Sequence, residues 1–291
     1  MLPQAESPVE TPTSPNIRPP ANACDTHVHM VGGPDDFPLW EGRVENPASG
    51  SFETWLERYR QHLDVLGFSR GVIVHSILYG DDNSITAATV KALGAERFRG
   101  IGLVRDEAND VALDKLVSQS MAGIRLNYVH GGVLSFDGVL SMAPRLQERG
   151  LHLQMLVNAH KHMQDVASGV RALSIPVVFD HIAWPDLSLG ANESGFQLLC
   201  QLLSEGHCYV KLSGVYRLCE APYEMADEAV AALVAANPER CLWGSDWPHL
   251  MLADAKMPDA GVLLNAFYRA VPNADDQKRI LVENPAALYG F

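Results

Sequence analysis

Short apolar runs and longer amphipathic stretches alternate along the chain. Apolar residues recur at helical spacing in Glu53–Leu66, Ile85–Leu93, Ala112–Ser120 and Ala226–Ala236. These stretches separate apolar runs of strand length, and such alternation predicts parallel strands joined by crossover helices. Eight runs are predicted as strands: 21–27 and just beyond, 71–76, 99–104, 123–127, 151–157, 176–181, 208–213 and 241–245.

Eight strand–helix units in one chain of 291 residues predict an α/β protein with a closed (β/α)8 barrel. No change in composition divides the units, so we expect a single domain over residues 21–291. A doubly wound open sheet is the alternative. The first strand is not followed by a Gly-x-Gly-x-x-Gly turn, which disfavours the dinucleotide-binding form of that alternative.

Two segments have a composition that is unusual for a barrel. Residues 1–20 contain six prolines with Ser, Thr and Glu between them, which predicts a disordered tail. Met30–Gly50 is rich in Gly, Pro and Asp and is long for a connection within a compact domain. Because connections of this length are usually functional, we expect this segment to be a lid.

The charge balance excludes some classes of partner. Lys and Arg total 22 against 35 Asp and Glu, which gives a formal net charge of -13. Binding to nucleic acid or to a membrane through a polybasic anchor is therefore not expected. A small anionic substrate would need a local basic pocket against this background. The sequence leaves the oligomeric state open.

The cysteines and the hydrophobicity profile bear on localisation. The five cysteines form no Cys-x-x-Cys pair, which favours buried reduced thiols. The first residues show neither the basic nor the apolar region of a secretory signal. No run approaches the roughly 18 apolar residues of a membrane-spanning helix. These features together predict a cytoplasmic protein.

Four side chains that can carry chemistry follow predicted strands. In a (β/α)8 barrel the working residues lie at the carboxyl ends of the strands. His27 and His29 end the first strand and point the same way because they are two residues apart. His181 follows the sixth strand and Asp246 the eighth. Each alone could be structural, but their occurrence at one end of the barrel predicts a catalytic cluster.

Further polar residues at the same end of the barrel suit an anionic substrate. Arg125 ends the fourth strand, and its guanidinium group can bind a carboxylate through two hydrogen bonds. Lys211 in the seventh strand is expected to pair with a carboxylate inside the barrel. The full set of predicted substrate-binding residues is Arg125, Asn127, Arg217, Tyr128, Ser76 and His249.

Several motifs resemble those of a known superfamily. The His27-x-His29 pair and Asp246 resemble the first-strand and eighth-strand signatures of the amidohydrolase superfamily. Over about residues 22 to 291 the chain is similar to its lactonase-like branch. The motifs that carry this similarity are YGDDN (79–83), GIRLN (123–127), FDHIAWPD (179–186), VKLSGVYR (210–217), LWGSDWPH (242–249) and ENPAALYGF (283–291).

The resemblance bears directly on whether a metal is needed. Metal-dependent members of the superfamily add a lysine or glutamate on strand four and a histidine on strand five. Here strand four offers Arg125, which has no free lone pair, and strand five offers Gln154 and Met155. We therefore expect catalysis without a metal or other cofactor. The alternative is one Zn²⁺ held by His27, His29, His181 and Asp246.

The resemblance implies an enzyme that acts on lactones. Asp246 is predicted to be the general base, with the histidine N–H groups binding the oxyanion. Asp25 and Asp180 are expected to point the opposite way from His29 and His181 or to lie deeper. The implied reaction is an isomerisation of sugar-diacid lactones, D-galactaro-1,5-lactone to D-galactaro-1,4-lactone. The alternatives are hydrolysis of a carboxylated lactone of the sugar-acid or pyrone-dicarboxylate type, a zinc-dependent hydrolase or decarboxylase, and a non-catalytic binding barrel.

Overall fold

A computed structural model describes residues 2–291 and contains one sheet of eight parallel strands in the order β1 to β8. Each strand pairs with the next one along the chain, as expected when every connection crosses over through a helix. The strands are β1 Cys24–Val28, β2 Arg70–Val74, β3 Phe98–Gly102, β4 Met121–Asn127, β5 His152–Leu156, β6 Val177–Phe179, β7 Cys208–Leu212 and β8 Cys241–Trp243.

Helices lie between the strands and cover the outside of the sheet. Most follow a strand directly, and the last short helices come after β8 and lead to the C-terminal residues. The helices are α1 Phe52–Leu66, α2 Ser84–Leu93, α3 Asp110–Ser118, α4 Phe136–Glu148, α5 Ala159–Ala172, α6 Ser194–Ser204, α7 Asp227–Ala236, α8 Ala260–Ala270, α9 Ala274–Lys278 and α10 Asn284–Tyr289.

The sheet closes between its first and last strands. The amide of Asp246 donates to the carbonyl oxygen of His27 at 2.8 Å, and the amide of His29 donates to that of Trp247 at 2.7 Å. The hydroxyl of Thr26 also donates to the carbonyl oxygen of Trp243 at 2.8 Å. The predicted (β/α)8 barrel is confirmed, and the open-sheet alternative is excluded because its first and last strands would lie apart.

The lower part of the barrel interior is apolar. Branched side chains from alternating strand positions fill it, as the two-residue period of a strand requires. Tyr289 of α10 closes this end from below. His152 at the start of β5 also lies at this end, with its ring centre 5.5 Å from that of Tyr289. The apolar cluster consists of Cys24, Val72, Val74, Ile101, Val178, Leu242 and Tyr289.

A β-bulge in β1 sets the direction of the two histidines. Asp25 pairs with Gly71 and Val28 pairs with Ile73, so three steps along β1 face two along β2. A bulge of this kind re-aims the side chains that follow it. It brings His27 into the barrel interior although Cys24, three residues earlier, also faces inward.

The N-terminal segment differs from the disordered tail that the sequence predicts. The prolines prevent a helix, but the extended chain lies along the barrel and forms hydrogen bonds with it. The Thr13 amide donates to Asp259 at 3.0 Å, and the Asn16 amide donates to Asn265 at 2.8 Å. Backbone groups of this segment thus find partners at α8 that its own sequence does not reveal.

The segment 30–50 lies at the mouth of the barrel without helix. The Trp40 amide donates to the Leu78 carbonyl oxygen, and the Met251 amide donates to the Glu45 carboxylate, both at 2.8 Å. These contacts attach the segment to loops on two sides of the mouth. In the part of the chain that the structure describes, no helix has the length and apolar character needed to span a bilayer.

Candidate active site

Asp246 lies at the centre of the polar cluster, directly after β8. Its backbone has a φ of 64°, and its side chain is buried. One carboxylate oxygen, Oδ2, accepts a hydrogen bond from the Tyr216 hydroxyl at 2.7 Å and one from Arg217 Nη2 at 3.1 Å. The other oxygen, Oδ1, has no hydrogen-bond partner among the described residues. This unpartnered oxygen is the atom of Asp246 that remains free for chemistry.

Two imidazole rings face the free oxygen of Asp246. Nε2 of His27 lies 3.6 Å from Oδ1, and Nε2 of His29 lies 3.5 Å from it. The two Nε2 atoms are 3.3 Å apart. The sequence prediction that these histidines point toward a common centre with Asp246 therefore agrees with the geometry.

The partners on the far side of each ring determine where its proton lies. Nδ1 of His29 is 2.8 Å from the Val74 carbonyl oxygen, which can only accept, so the proton is on Nδ1. Nδ1 of His27 lies 3.2 Å from Asp180 Oδ1 and 3.4 Å from Lys211 Nζ, so it faces an acceptor and a donor at once. With its Nδ1 proton held by Val74, His29 turns Nε2 toward Asp246. The supply of N–H groups by these two rings to an oxyanion stays a prediction.

His181 reaches the cluster from an unusual turn. Four consecutive residues, 181–184, have φ values between 42° and 56°, a left-handed conformation that costs roughly 1–2 kcal/mol per residue. Such strain is typical of sites where position matters more than local stability. Nδ1 of His181 lies 3.0 Å from the Ser213 hydroxyl, and Nε2 lies 3.8 Å from Asp246 Oδ2.

The sequence predicts that Asp180 points away from His181 or lies deeper, and in the structure Asp180 contacts the cluster at Nδ1 of His27, 3.2 Å from its Oδ1. β6 ends at Phe179, and the left-handed turn carries His181 to the same side as Asp180 instead of the opposite one. Asp180 lies 3.4 Å from Arg125 Nη2 and 3.8 Å from Lys211 Nζ. The expected pairing of Lys211 with a carboxylate inside the barrel is therefore present.

Lys211 is fully buried beneath His27. Its ammonium group donates to the Thr26 carbonyl oxygen and to Gln154 Oε1, both at 2.7 Å. Burial lowers the pKa of Lys211 to about 8, while Asp180 opposes this effect. Gln154 lies at the β5 position considered above for a metal ligand, and here it binds the ammonium group of Lys211.

The ionisation of the cluster follows from burial and from these charge pairs. Burial alone would raise the pKa of Asp246, but His181 and Arg217 hold it well below its usual value. Burial lowers the pKa of His181 to about 4 and that of His27 well below its normal range. Asp246 is therefore ionised at neutral pH, and these two imidazoles are neutral.

A cavity connects the cluster to solvent. Its inner part has a volume of about 80 Å³ and is lined by Asp246, His29, His181 and Arg125. Its outer part has a volume of about 1310 Å³ and shares several lining residues with the inner part. The cavity therefore leads from the mouth of the barrel to Asp246.

Three of the predicted substrate-binding residues line this cavity: Arg125, Asn127 and Arg217. Arg125 also donates to the His75 carbonyl oxygen at 3.2 Å, while its buried Nε has no partner among the described residues. Arg217 donates to the Leu250 carbonyl oxygen at 2.8 Å. Arg217 is thus held against Asp246, whereas Arg125 keeps one donor free.

The other three predicted residues are not among those lining the cavity. Tyr128 packs against His162, with ring centres 5.1 Å apart, because it lies beyond the end of β4. The Ser76 hydroxyl accepts from the Leu78 amide at 3.3 Å and so caps a short 3-10 turn. His249 is buried behind Asp246, and burial lowers its pKa to about 3.

Tyr216 contacts Asp246 in the structure but is not identified by the sequence analysis. It lies in a 3-10 turn, Val215–Arg217, after β7, and strand periodicity does not extend into that turn. Its only signal in the sequence is its position beside Arg217 in the motif VKLSGVYR (210–217). Its hydroxyl forms the shortest of the contacts to Asp246 described above.

The donor set also fits one zinc ion. His27 Nε2, His29 Nε2 and Asp246 Oδ1 form a triangle with sides of 3.3, 3.5 and 3.6 Å. Zn–N bonds of about 2.0–2.1 Å in a tetrahedron place neighbouring ligand atoms about 3.3 Å apart. These three residues would hold the ion, which would polarise a substrate carbonyl group.

Comparison with known proteins gives matches along the whole barrel. The family model described as Amidohydrolase matches residues 24–291. A 2-pyrone-4,6-dicarboxylate hydrolase of Comamonas testosteroni is 31% identical over 96% of this chain and 93% of its own. A D-galactarolactone isomerase of Agrobacterium fabrum is 27% identical over 95% of this chain and 94% of its own.

The fold also matches solved structures. One is a probable 2-pyrone-4,6-dicarboxylic acid hydrolase of Acinetobacter baumannii with citric acid bound. It superposes with a TM-score of 0.80 at 24% identity and covers 93% of this chain and 100% of its own. This likeness supports the barrel architecture.

Proposed function

The chain belongs to the amidohydrolase family, and we propose that it hydrolyses a lactone that carries an anionic group. The observation that carries this proposal is the free Oδ1 of Asp246. It is a buried carboxylate oxygen with no hydrogen-bond partner among the described residues, it faces Nε2 of two imidazoles, and Asp246 borders the inner cavity. These three converging atoms suit a water molecule, which can both donate and accept hydrogen bonds.

The water is the nucleophile of the proposed reaction. It donates a proton to Asp246 Oδ1 while its oxygen attacks the lactone carbonyl carbon, which gives a tetrahedral oxyanion. The bond from this carbon to the ring oxygen then breaks, and the ring oxygen takes the proton from Asp246. The product is an open hydroxy acid, and Asp246 returns to its ionised form.

His181 is the histidine that suits the oxyanion. Its Nδ1 accepts from the Ser213 hydroxyl in this scheme, which leaves the proton of the neutral ring on Nε2. That nitrogen lies beside Asp246 and lines the inner cavity. A preorganised donor of this kind stabilises charge that develops in the transition state.

The free donor of Arg125 supports an anionic substrate. Its Nε is buried without a partner among the described residues, and the side chain lines the inner cavity. A carboxylate there would satisfy this group through a charge-assisted hydrogen bond. The relatives are a hydrolase of a pyrone dicarboxylate and an isomerase of galactarolactone, and a substrate of similar charge is proposed here.

We further propose that the reaction needs no metal. Asp246 already has Arg217 at 3.1 Å, and Asp180 has Arg125 at 3.4 Å and Lys211 at 3.8 Å. Two buried carboxylates thus face three cations. A divalent ion would add positive charge where the negative charge is already compensated.

Isomerisation of an aldaric-acid lactone is the second candidate. It is supported by the similarity to a galactarolactone isomerase, which is 27% identical to this chain. The pyrone-dicarboxylate hydrolase is 31% identical. The same groups would serve, with a substrate hydroxyl in place of water. The outer cavity of about 1310 Å³ admits water freely, and this is why hydrolysis is the first candidate.

A proton NMR time course distinguishes the two reactions. The substrates are galactaro- and glucaro-lactones and a pyrone dicarboxylate, each followed with the purified protein and with Asp246→Asn. Hydrolysis gives an open hydroxy acid, whereas isomerisation gives a new lactone without uptake of water. Turnover that produces only a second lactone would reject hydrolysis, and no turnover of any lactone would reject both.

A further inference from the structure

The cavity in front of Asp246 has two parts of opposite chemistry. The inner part is small and is bordered by imidazole, guanidinium and carboxylate groups. The outer part, here called the outer chamber, is lined by a mainly apolar set of side chains. The six that matter for the argument are Trp40, Val44, Leu218, Met251, Leu252 and Met257.

The outer chamber is much larger than a simple lactone requires. Its volume is about 1310 Å³, whereas a cavity of about 150 Å³ is enough to bind benzene. A monocyclic lactone with its carbonyl group beside Asp246 would leave most of the chamber to water. The chamber therefore has room for a substrate that extends outward from the reacting ring.

The two basic side chains that line the outer chamber, Arg217 and Lys256, both have partners. Lys256 donates to Glu220 at 2.9 Å. Arg217 is bonded to Asp246 and to the carbonyl oxygens of Leu250 and Met251. Arg217 is thus not left for a second anionic group, and the carboxylates of Glu220 and Asp254 in the chamber wall disfavour one, so the chamber does not favour a substrate with charge at both ends.

Exposed apolar side chains in the wall of the outer chamber also favour a ligand with an apolar part. Val44 is 61% exposed and lies on the segment that borders the mouth. Leu218 and Met257 are partly exposed on other sides of the same chamber. Apolar surface facing a cavity gains free energy when an apolar ligand removes it from water.

We propose that the substrate is a lactone with a bulky apolar substituent, which occupies the outer chamber while the ring lies beside Asp246. This rests on the proposed function and deepens it. The anionic group of the lactone binds near Arg125, and the substituent contacts Trp40, Val44 and Leu218. The chamber then selects among anionic lactones by their apolar part.

The test compares a γ-butyrolactone carboxylate with the same lactone bearing one benzyl group. Removing a benzyl-sized apolar surface from water should raise kcat/KM by about tenfold or more, mainly through a lower KM. Dissociation constants for both compounds are measured by titration calorimetry on the parent protein. Equal affinity for the two compounds would overturn the proposal.

A charged group in the chamber provides the second measurement. Val44→Asp should reduce the preference for the benzyl compound, expressed as the ratio of the two affinities, by about tenfold. Val111→Asp is the matched control, because Val111 is 76% exposed on α3 and lies outside the chamber. An unchanged ratio in Val44→Asp would overturn the proposal.

The binding measurement separates this proposal from the proposed function. If the benzyl compound binds more tightly but neither lactone reacts, the chamber is supported and lactone hydrolysis is rejected. If both lactones react but bind with equal affinity, hydrolysis is supported and the apolar substituent is rejected. Unchanged melting temperatures of both variants show that a change in affinity does not come from unfolding.

Discussion

Arg217 and Asp246 form an ion pair in the mouth of the barrel, with Arg217 Nη2 3.1 Å from Asp246 Oδ2. Arg217 is itself fixed by the carbonyl oxygens of Leu250 and Met251, at 2.8 and 3.0 Å. Oδ2 of Asp246 is therefore bound by Arg217, and Oδ1 faces the imidazoles. It also keeps the carboxylate ionised and ready to accept a proton at neutral pH.

The first prediction concerns the base. Asp246→Asn keeps the shape and the contacts to Tyr216 and Arg217 but removes the basic oxygen. We expect kcat to fall by about 10²–10⁴-fold, the usual range for a lost general base. Substrate affinity should change little, because Arg125 and the outer chamber remain. Steady-state kinetics and titration calorimetry on the same protein give the two quantities.

Asp64→Asn is the matched control for this substitution, and it should leave kcat and affinity unchanged. Asp64 is exposed on α1 and lines neither part of the cavity, so the same change of a carboxylate to an amide there lies away from the site. An Asp246→Asn protein with kcat within a few-fold of the parent would show that another group accepts the proton.

The second prediction concerns Arg125. Arg125→Met should lower kcat/KM for an anionic lactone by about 10²-fold, since a hydrogen bond to a charged group is worth roughly 1.5–3 kcal/mol. A neutral lactone should lose less. Kinetics on matched charged and neutral substrates give the comparison.

Arg125→Lys separates charge from geometry at this position. It keeps a cation near Asp180 but removes the guanidinium fork. If Arg125→Lys is as stable as the parent but still binds the anionic lactone weakly, Arg125 has a role in substrate binding. An equal loss on charged and neutral lactones in Arg125→Met would instead show that Arg125 only stabilises Asp180.

The sequence predicts the barrel well, because its signal is local and repeated. Every predicted strand overlaps an observed one, and the predicted helix Glu53–Leu66 differs from α1 by one residue at its start. His27, His29 and Asp246 are also brought together as expected. Their common location follows from topology alone, since all parallel strands of a barrel end at the same rim.

The parts of the site that sequence reasoning does not predict lie in turns. Alternation along an extended strand places Asp180 and His181 on opposite sides, but the left-handed turn at 181–184 cancels that alternation. Tyr216 is positioned by a 3-10 turn in the same way. Hydrogen-bond partners that fix a tautomer, such as Val74 for His29, are distant in sequence and leave no pattern in it.

The third prediction concerns metal content. Because Asp246 and Asp180 are already paired with cations, we expect chelation to leave turnover intact and the purified protein to carry well under one equivalent of zinc. Elemental analysis and activity after dialysis against a chelator test this. Stoichiometric zinc, with activity lost on its removal and restored on its return, would contradict it and favour His27, His29 and Asp246 as ligands.

The fourth prediction concerns stability in acid and depends on His75. Its Nδ1 lies 3.0 Å from the Thr86 hydroxyl and its Nε2 lies 2.8 Å from the Gly80 carbonyl oxygen, and the ring is buried. Burial lowers the pKa of His75 from 6.5 to about 4. The folded protein therefore resists a proton that the unfolded chain accepts.

The sign of the effect follows from that difference in pKa. Above about pH 6.5 neither state of the chain protonates His75, and its contribution to stability is complete. As the pH falls from 6.5 to about 4 the unfolded chain binds the proton first, so the free energy of unfolding decreases, by about 3 kcal/mol for this residue.

Urea denaturation of the parent and of His75→Gln at several pH values measures this, and the variant should lose less stability between neutral and acidic pH. His207→Gln is the matched control, because the His207 side chain is 39% exposed and its removal should leave the slope unchanged. Parallel curves for the parent and His75→Gln would show that His75 does not resist protonation in the folded protein.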